Sequence, residues 1–112
     1  MLVVMTEDQT IQALGALAHP IRLKVFRALV VSGESGLTPG VMQEGLGIPA
    51  TTLSFHLKEL AHAGLASIER SSRSLVYRAG YAQMNELLAY LTENCCEGKG
   101  CVAVPRACEV QR

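Results

Sequence analysis

The sequence predicts a mainly α-helical protein with one small β-hairpin. Apolar residues recur at helical spacing through most of the chain, glycine and proline interrupt these stretches, and two short, partly β-branched segments follow the fourth stretch. A length of 112 residues fits one small domain. Aromatic residues make up only 4% and tryptophan is absent, so the core is thin for a monomer and a core shared within an oligomer is expected.

The chain begins with two predicted helices. Thr6 and Gln9 have the spacing of a capping box, which places a helix start at Thr6. Apolar residues then recur at helical spacing at Ile11, Leu14, Leu17 and Ala18. Pro20 ends that helix and suits the first position of the next. The second helix has apolar residues on several faces, which predicts that it is buried: Ile21, Leu23, Val25, Phe26, Leu29 and Val30.

A short third helix and a longer fourth helix follow a loop at residues 32–36. Thr38 and Pro39 form an N-cap followed by proline at the first helical position, and Gly47 ends the helix. Three residues of this helix are expected to face inward: Val41, Met42 and Leu46. The fourth helix follows Pro49 and stops at Gly64. A short helix, a tight turn with glycine and a longer helix are the helix-turn-helix arrangement.

Residues 66–70 and 74–79 predict a short hairpin, with Ser71, Ser72 and Arg73 between the strands. A last helix is predicted from about Tyr81 to about Asn94. The whole is a winged helix-turn-helix with extra helices at both ends. Each terminal helix has an apolar stripe, and neither belongs to the helix-turn-helix or the hairpin that would contact DNA. These two helices are therefore the expected dimer surface. Residues 1–94 form the predicted DNA-binding and dimerisation domain, and residues 95–112 a cysteine-containing inducer-binding tail.

The fourth helix presents two faces. With Leu53 at the centre of the buried face, Ala50, Leu57 and Leu60 lie beside it, at 100° per residue. Small hydroxyl residues at a helix start can approach bases and phosphates, and an outward phenylalanine can contact a thymine methyl group. The alternative roles are helix capping for the hydroxyls and packing under the hairpin for the ring. The predicted DNA contacts on this helix are Thr51, Thr52, Ser54, Phe55, His56 and Lys58, although His56 lies nearer the buried side, where a scaffold role is the alternative.

The hairpin adds two more candidate DNA contacts. Arg73 at its tip suits a minor-groove or phosphate contact, and Arg78 is a more generic candidate. Net charge is zero overall, yet residues 50–80 carry four basic against two acidic side chains. That mild local excess fits a nucleic-acid partner but does not by itself indicate one.

All four cysteines lie in the last eighteen residues: Cys95, Cys96, Cys101 and Cys108. The N-terminal apolar stretch is too short for a secretory signal, and no apolar run approaches transmembrane length. A cytoplasmic, reducing compartment is therefore expected, where clustered cysteines indicate metal binding or reactive thiols. No catalytic constellation or phosphate-binding glycine loop is present, so an enzyme is not predicted.

The chain resembles the ArsR/SmtB family of metal-sensing repressors. The resemblance rests on Ala18-His19-Pro20-Ile21-Arg22-Leu23, on Ser54-Phe55-His56-Leu57-Lys58 with Ala63-Gly64-Leu65, and on Val76-Tyr77-Arg78, and it covers roughly residues 10–95. It implies a homodimeric repressor that binds an inverted-repeat operator in double-stranded DNA and leaves it when an inducer binds. The third helix lacks the cysteine pair, and the last helix the histidines, that many members use.

The end of the chain resembles the ArsR subgroup with a C-terminal three-cysteine arsenite site. This implies arsenic(III) as inducer and Cys95, Cys96 and Cys101 as its ligands, with Cys108 an additional candidate. Trivalent arsenic prefers three thiolates in a pyramid, whereas tetrahedral zinc usually takes four ligands. Cys108 could complete a zinc site. Two rival hypotheses are a thiol-redox sensor of the same fold and a metal-sequestering module that does not bind DNA.

Overall fold

Five α-helices and a two-stranded hairpin follow one another in the predicted order in the computed structural model, which describes residues 5–98. Two short 3₁₀ segments, Gly33–Ser35 and Cys95–Gly98, complete the described part. The principal elements are α1 (Glu7–Leu17), α2 (Pro20–Ser32), α3 (Pro39–Leu46), α4 (Ala50–His62), β1 (Ala66–Ser71), β2 (Ser74–Ala79) and α5 (Tyr81–Leu91). The predicted fold class is confirmed.

Side-chain caps fix the starts of two helices as the sequence indicates. The Gln9 backbone N–H donates to Thr6 Oγ1 at 3.1 Å, and the Thr6 backbone N–H donates to Gln9 Oε1 at 2.9 Å. This reciprocal pair satisfies two backbone donors at the start of α1. At α3, the Val41 N–H donates to Thr38 Oγ1 at 3.3 Å and Pro39 occupies the first turn. Both predicted helix starts are confirmed.

The core is built mainly by α2 and α4. Residues whose side chains are almost completely buried include Val25, Leu29, Met42, Leu53, Leu57, Leu60 and Leu65. Burying one such side chain contributes about 1.5–3 kcal/mol. Because α4 supplies three of these residues along one face, packing against the body fixes which of its faces points outward.

Three expectations about burial are wrong. Val41 is exposed because it lies one position, about 100° around the helix, from Met42, which is buried, whereas Leu46, four positions after Met42, is half-buried against the core as expected. Ala50 is exposed because it is the first residue of α4 and projects beyond the core. Helix α2 is buried on one side only, since Leu23 and Val31 are exposed.

The hairpin is antiparallel, with Ala66 opposite Ala79 at its base and Ser71 opposite Ser74 at its tip. Ser72 and Arg73 form the two-residue turn, and Ser72 adopts a left-handed φ of 58°. Leu37 and Tyr77 exchange two backbone hydrogen bonds, of 2.9 and 2.8 Å, in a bridge that the sequence does not predict. The hairpin is thereby attached to the loop between α2 and α3.

Helix α5 is fixed to the body at its first turn. The Gly80 N–H donates to the Leu65 carbonyl at 2.8 Å, and a Cβ atom at Gly80 would overlap the Gly64 carbonyl oxygen. Tyr81 Oη–H donates to the Val30 carbonyl at 2.8 Å, and Gln83 Nε2 donates to the Ala63 carbonyl at 3.1 Å. The start of α5 therefore touches the C-terminal ends of α2 and α4.

Helix α5 ends at Leu91, about three residues before the predicted end near Asn94. Thr92 is its C-cap, and the backbone then turns left-handed at Asn94, Cys96 and Glu97. None of the helices in residues 5–98 has both the length and the apolar character needed to cross a membrane.

Candidate nucleic-acid interface and thiol cluster

The turn between α3 and α4 sets how α4 is presented. Gly47 adopts a left-handed conformation (φ 68°, ψ 35°) and its N–H donates to the Gln43 carbonyl at 2.9 Å, which ends α3. Ile48 is buried, and Pro49 holds the extended conformation of an N-cap. The turn is thus anchored in the core, and one face of the first two turns of α4 lies at the surface.

The outward face of α4 is as predicted. Thr51, Ser54, Phe55 and Lys58 are exposed, and Thr52 is half-buried on the flank. Pro49 is the N-cap and α4 has no side-chain cap hydrogen bond, so the three hydroxyl residues are not used for capping. Phe55 is 55% exposed, and a ring of this size at the surface can contact a thymine methyl group. This face combines hydroxyl, aromatic and cationic groups.

His56 points into the protein, which contradicts its prediction as a direct DNA contact. Only 5% of it is exposed, and its ring centroid lies 4.5 Å from that of His19. Its Nδ1 has no hydrogen-bond partner among residues 5–98. Burial, followed by the charges of His19 and Arg22, lowers the pKa of His56 below the ordinary 6.5, while Glu59 raises it. His56 therefore packs on the buried side of α4, where it can affect the orientation of the helix but does not face the DNA.

The two wing arginines occupy different environments. Arg73 is exposed in the turn, where a phosphate could approach it. Arg78 is half-buried, its Nη1 lies 2.6 Å from Glu69 Oε1, and its Nε donates to the Glu34 carbonyl at 2.7 Å. Arg78 thus ties the hairpin to the loop after α2, and its guanidinium is already engaged within the protein.

Two of the predicted inducer ligands lie just beyond α5. Cys95 is half-buried, Cys96 is exposed, and their Sγ atoms are 3.5 Å apart. Cys101 and Cys108 lie outside the described residues. Within residues 5–98, no group of three histidine, cysteine or acidic side chains is placed to hold a metal ion.

The terminal helices carry exposed apolar side chains. Helix α1 buries Thr10, Ala13 and Ala16 against the body, which leaves part of its predicted apolar stripe outside. Helix α5 packs against α1 and buries Leu87. We call the exposed set the terminal apolar face; its members are Ile11, Leu14, Leu88 and Leu91.

Sequence reasoning missed two side-chain arrangements near the site. The contact between His19 and His56 joins residues 37 positions apart, which helical periodicity does not relate. The pair between Glu69 and Arg78 does have a signal, because opposite charges occupy diagonal positions in the hairpin register. That register identifies Glu69 as a partner for Arg78.

Comparison with known proteins supports the helix-turn-helix assignment. A family model described as a helix-turn-helix domain matches residues 17–69. The HTH-type transcriptional regulator YceK of Bacillus subtilis, described as uncharacterized, is 40% identical over 63 residues, which cover 56% of this chain and 62% of that protein.

Solved structures show the same architecture. An ArsR-like transcriptional regulator from Rhodococcus sp. RHA1 superposes with a TM-score of 0.71 at 21% identity, over 81% of this chain and 83% of that one. The chain contains a helix-turn-helix domain and has the winged helix-turn-helix fold of this ArsR-like protein. The chain also resembles the homodimeric winged helix-turn-helix DNA-binding domain of Mb0332 from Mycobacterium bovis, a possible ArsR-family regulator, with a TM-score of 0.62 at 23% identity over 86% and 89% of the two chains. The matched relatives are transcriptional regulators rather than enzymes.

Proposed function

We propose that the regulator is a homodimeric DNA-binding repressor that releases its operator when trivalent arsenic binds Cys95, Cys96 and Cys101. The exposed face of α4 supports the DNA-binding part, since its polar and aromatic side chains follow a helix-turn-helix and remain uncovered. Direct contacts are assigned to Thr51, Thr52, Ser54, Phe55 and Lys58 of α4 and to Arg73 of the wing. A two-fold dimer would place two such helices on an inverted repeat, about one helical turn apart or a multiple of that.

The observation that carries the arsenic assignment is the pair of sulfur atoms 3.5 Å apart beyond the end of α5. Thiolates select soft, thiophilic ions. The edge of a tetrahedral zinc–thiolate site, with Zn–S bonds of about 2.3 Å, is roughly 3.8 Å, so the pair is slightly closer than zinc requires. Because the backbone turns left-handed at Asn94 and Cys96, the two adjacent side chains converge as they would not within a regular helix.

Release of DNA would follow from the position of these cysteines after the end of α5. Arsenic binding would fix the chain beyond Leu91 and constrain the end of α5. The start of α5 is hydrogen-bonded to the Ala63 carbonyl, at the C-cap of α4. A shift of α5 would therefore move α4, the DNA-contacting helix. It would also change the distance between the two α4 helices of the dimer. A coupling of about 1–3 kcal/mol would weaken DNA binding about 5- to 150-fold.

The terminal apolar face supports the homodimer. Ile11 and Leu91 are 60% and 55% exposed, and both lie on helices outside the helix-turn-helix. Apolar side chains grouped in this way favour an interface with a second copy. Sedimentation equilibrium should give a dimer for the wild type and a monomer for Leu88→Glu. Val31→Glu, which adds the same charge at an exposed residue of α2, should remain dimeric.

The inducer is tested by a DNA-release titration. The probe is a duplex selected by the apoprotein from a library of random inverted repeats at low salt, and anisotropy follows release on addition of arsenite, antimonite or zinc. Arsenite should release the wild type and Cys108→Ser, whereas Cys95→Ser, Cys96→Ser and Cys101→Ser should stay bound. Release of all three variants by arsenite would refute the proposed site.

The two rival hypotheses have distinct outcomes in the same assay. Release by mild peroxide, with a disulfide in the mass spectrum and no response to arsenite, would indicate a redox sensor. Failure to select any duplex at low salt would indicate a module that does not bind DNA.

A further inference from the structure

We infer that His56 is a positioning residue which holds α4 in its DNA-binding orientation only while its imidazole is neutral. The inference rests on the proposed DNA-binding function but not on the arsenic site. It makes acidification a second condition that weakens operator binding, through residues far in sequence from the cysteines.

The geometry places His56 at the junction of two helices. It lies on the inner side of α4 between Leu53 and Leu57, and its ring packs against that of His19 with centroids 4.5 Å apart. His19 is the N-cap of α2, where its Nδ1 accepts a hydrogen bond from the Ile21 N–H at 3.1 Å. The orientation of His19 is therefore fixed by the start of α2, and His56 packs against a rigid surface.

The surroundings of His56 oppose a positive charge. The charged or titratable groups that act on its ring are His19 and Arg22 of α2 and Glu59 of α4 itself. Arg22 is a permanent cation, and the one carboxylate is already shared, since Arg22 Nη1 lies 3.7 Å from Glu59 Oε1. Helices α1 and α3 contribute no charge to this junction, because their acidic residues are exposed and lie elsewhere: Glu7, Asp8 and Glu44.

A proton on His56 would therefore leave a buried cation without compensation. Nδ1 of His56 and Nε of Arg22 are both buried and have no hydrogen-bond partner in the part of the chain that the structure describes. A protonated ring would have two N–H donors, and this junction offers it no fixed acceptor. Movement of α4 away from α2 would let water reach the buried Nδ1, and it would tilt Thr51, Ser54 and Phe55 relative to the rest of the helix-turn-helix.

The expected pH effect is opposite to that of the protein's overall charge. Acidification makes the surface more positive, which by itself strengthens binding to DNA. Weaker binding at low pH would therefore require a specific group whose neutral form is needed. Comparing the wild type with a variant at position 56 separates the two contributions, because the surface charges are common to both.

The test measures affinity for the selected duplex from pH 8 to pH 5.5 at constant ionic strength, with each protein normalised to its own value at pH 8. The wild type should lose about fivefold or more affinity relative to His56→Gln across this range, a coupling within the usual allosteric range. His19→Asn keeps a capping side chain at the start of α2 and removes a group that lowers the pKa of His56, so its affinity loss should begin at higher pH.

NMR titration of the histidine ring protons provides a readout that needs no DNA and no mutant at position 56. His56 of the wild type should titrate below 6.5, and in His19→Asn its midpoint should shift, because the imidazole of His19 is among the groups that set it. Equal pH profiles of wild type and His56→Gln, or titration of His56 at or above 6.5, would overturn the inference. If no duplex binds even at pH 8, the DNA-binding proposal fails, and the NMR midpoints still decide whether His56 is held neutral.

Discussion

The wing arginines permit a quantitative test of which side chain contacts DNA. Arg73 lies exposed in the turn, so we expect it to contact one phosphate in each protomer. Each phosphate contact contributes about 0.9 to the slope of log affinity against log salt, so Arg73→Ala in a dimer should reduce that slope by about 1.8. Over a fourfold rise in salt, from about 50 to about 200 mM, the variant should lose about tenfold less affinity than the wild type.

Arg78→Ala is the matched control, since it removes the same charge from the same hairpin. Arg78 already contacts Glu69 Oε1 at 2.6 Å and the Glu34 carbonyl at 2.7 Å, and the side chains of the ion pair are partly solvent-exposed. Its loss should cost about 1 kcal/mol of unfolding free energy, or about 4–8 °C in Tm. The salt slope should be unchanged. A salt slope lowered as much by Arg78→Ala as by Arg73→Ala, or left unaltered by Arg73→Ala, would refute the assignment of Arg73 as the phosphate contact.

Three further predictions concern stability, measured by urea unfolding at fixed protein concentration. Because the pKa of His56 is lowered in the folded protein, the unfolded chain binds more protons on acidification, so stability should be full above pH 6.5 and fall below it; His56→Gln should show a flatter profile. Gly80→Ala should destabilise by about 1–3 kcal/mol, because the new Cβ meets the backbone carbonyl of Gly64. Gly45→Ala, in helix α3 with open space around it, should instead stabilise by about 0.4–1 kcal/mol. Leu57→Ala should cost about 2–5 kcal/mol, since Leu57 is only 1% exposed.

Each of these stability predictions has an outcome that would contradict it. Equal pH profiles for wild type and His56→Gln would show that His56 contributes no proton linkage. An unchanged free energy of unfolding for Gly80→Ala would show that the backbone at Gly80 can move away from the Gly64 carbonyl without cost. A loss below about 1 kcal/mol for Leu57→Ala would show that the core around α4 collapses to fill the space.

The elements can be predicted from sequence because local chemistry determines them. Thr6 with Gln9, and Thr38 with Pro39, specify helix starts through hydrogen bonds within a few residues. The outward face of α4 follows from helical geometry once Leu53 is placed inside. Periodicity is a property of the helix itself, so it needs no knowledge of the tertiary structure.

What the sequence does not show depends on contacts between distant residues. Helical geometry already places His56 nearer the buried side of α4, but only the packing of α2 against α4 shows that its neighbour there is His19. Charge alone assigns Arg78 to DNA, although Glu69 and the Glu34 carbonyl already hold it. Apolar character places Val41 inside, whereas α3 turns Met42 and Leu46 toward the core and leaves Val41 exposed.

The backbone at Gly80 lies against that of Gly64 and Leu65, so the two ends of the wing meet at its base. The Gly80 N–H bonds to the Leu65 carbonyl, and Ala66 pairs with Ala79, so the chain returns to its point of departure before α5 begins. Residues could therefore be inserted at the tip, around Ser72 and Arg73, without displacing α5 or the end of α4. The length and charge of the wing could thus change while the hydrogen bonds that hold the start of α5 to α2 and to the end of α4 stay in place.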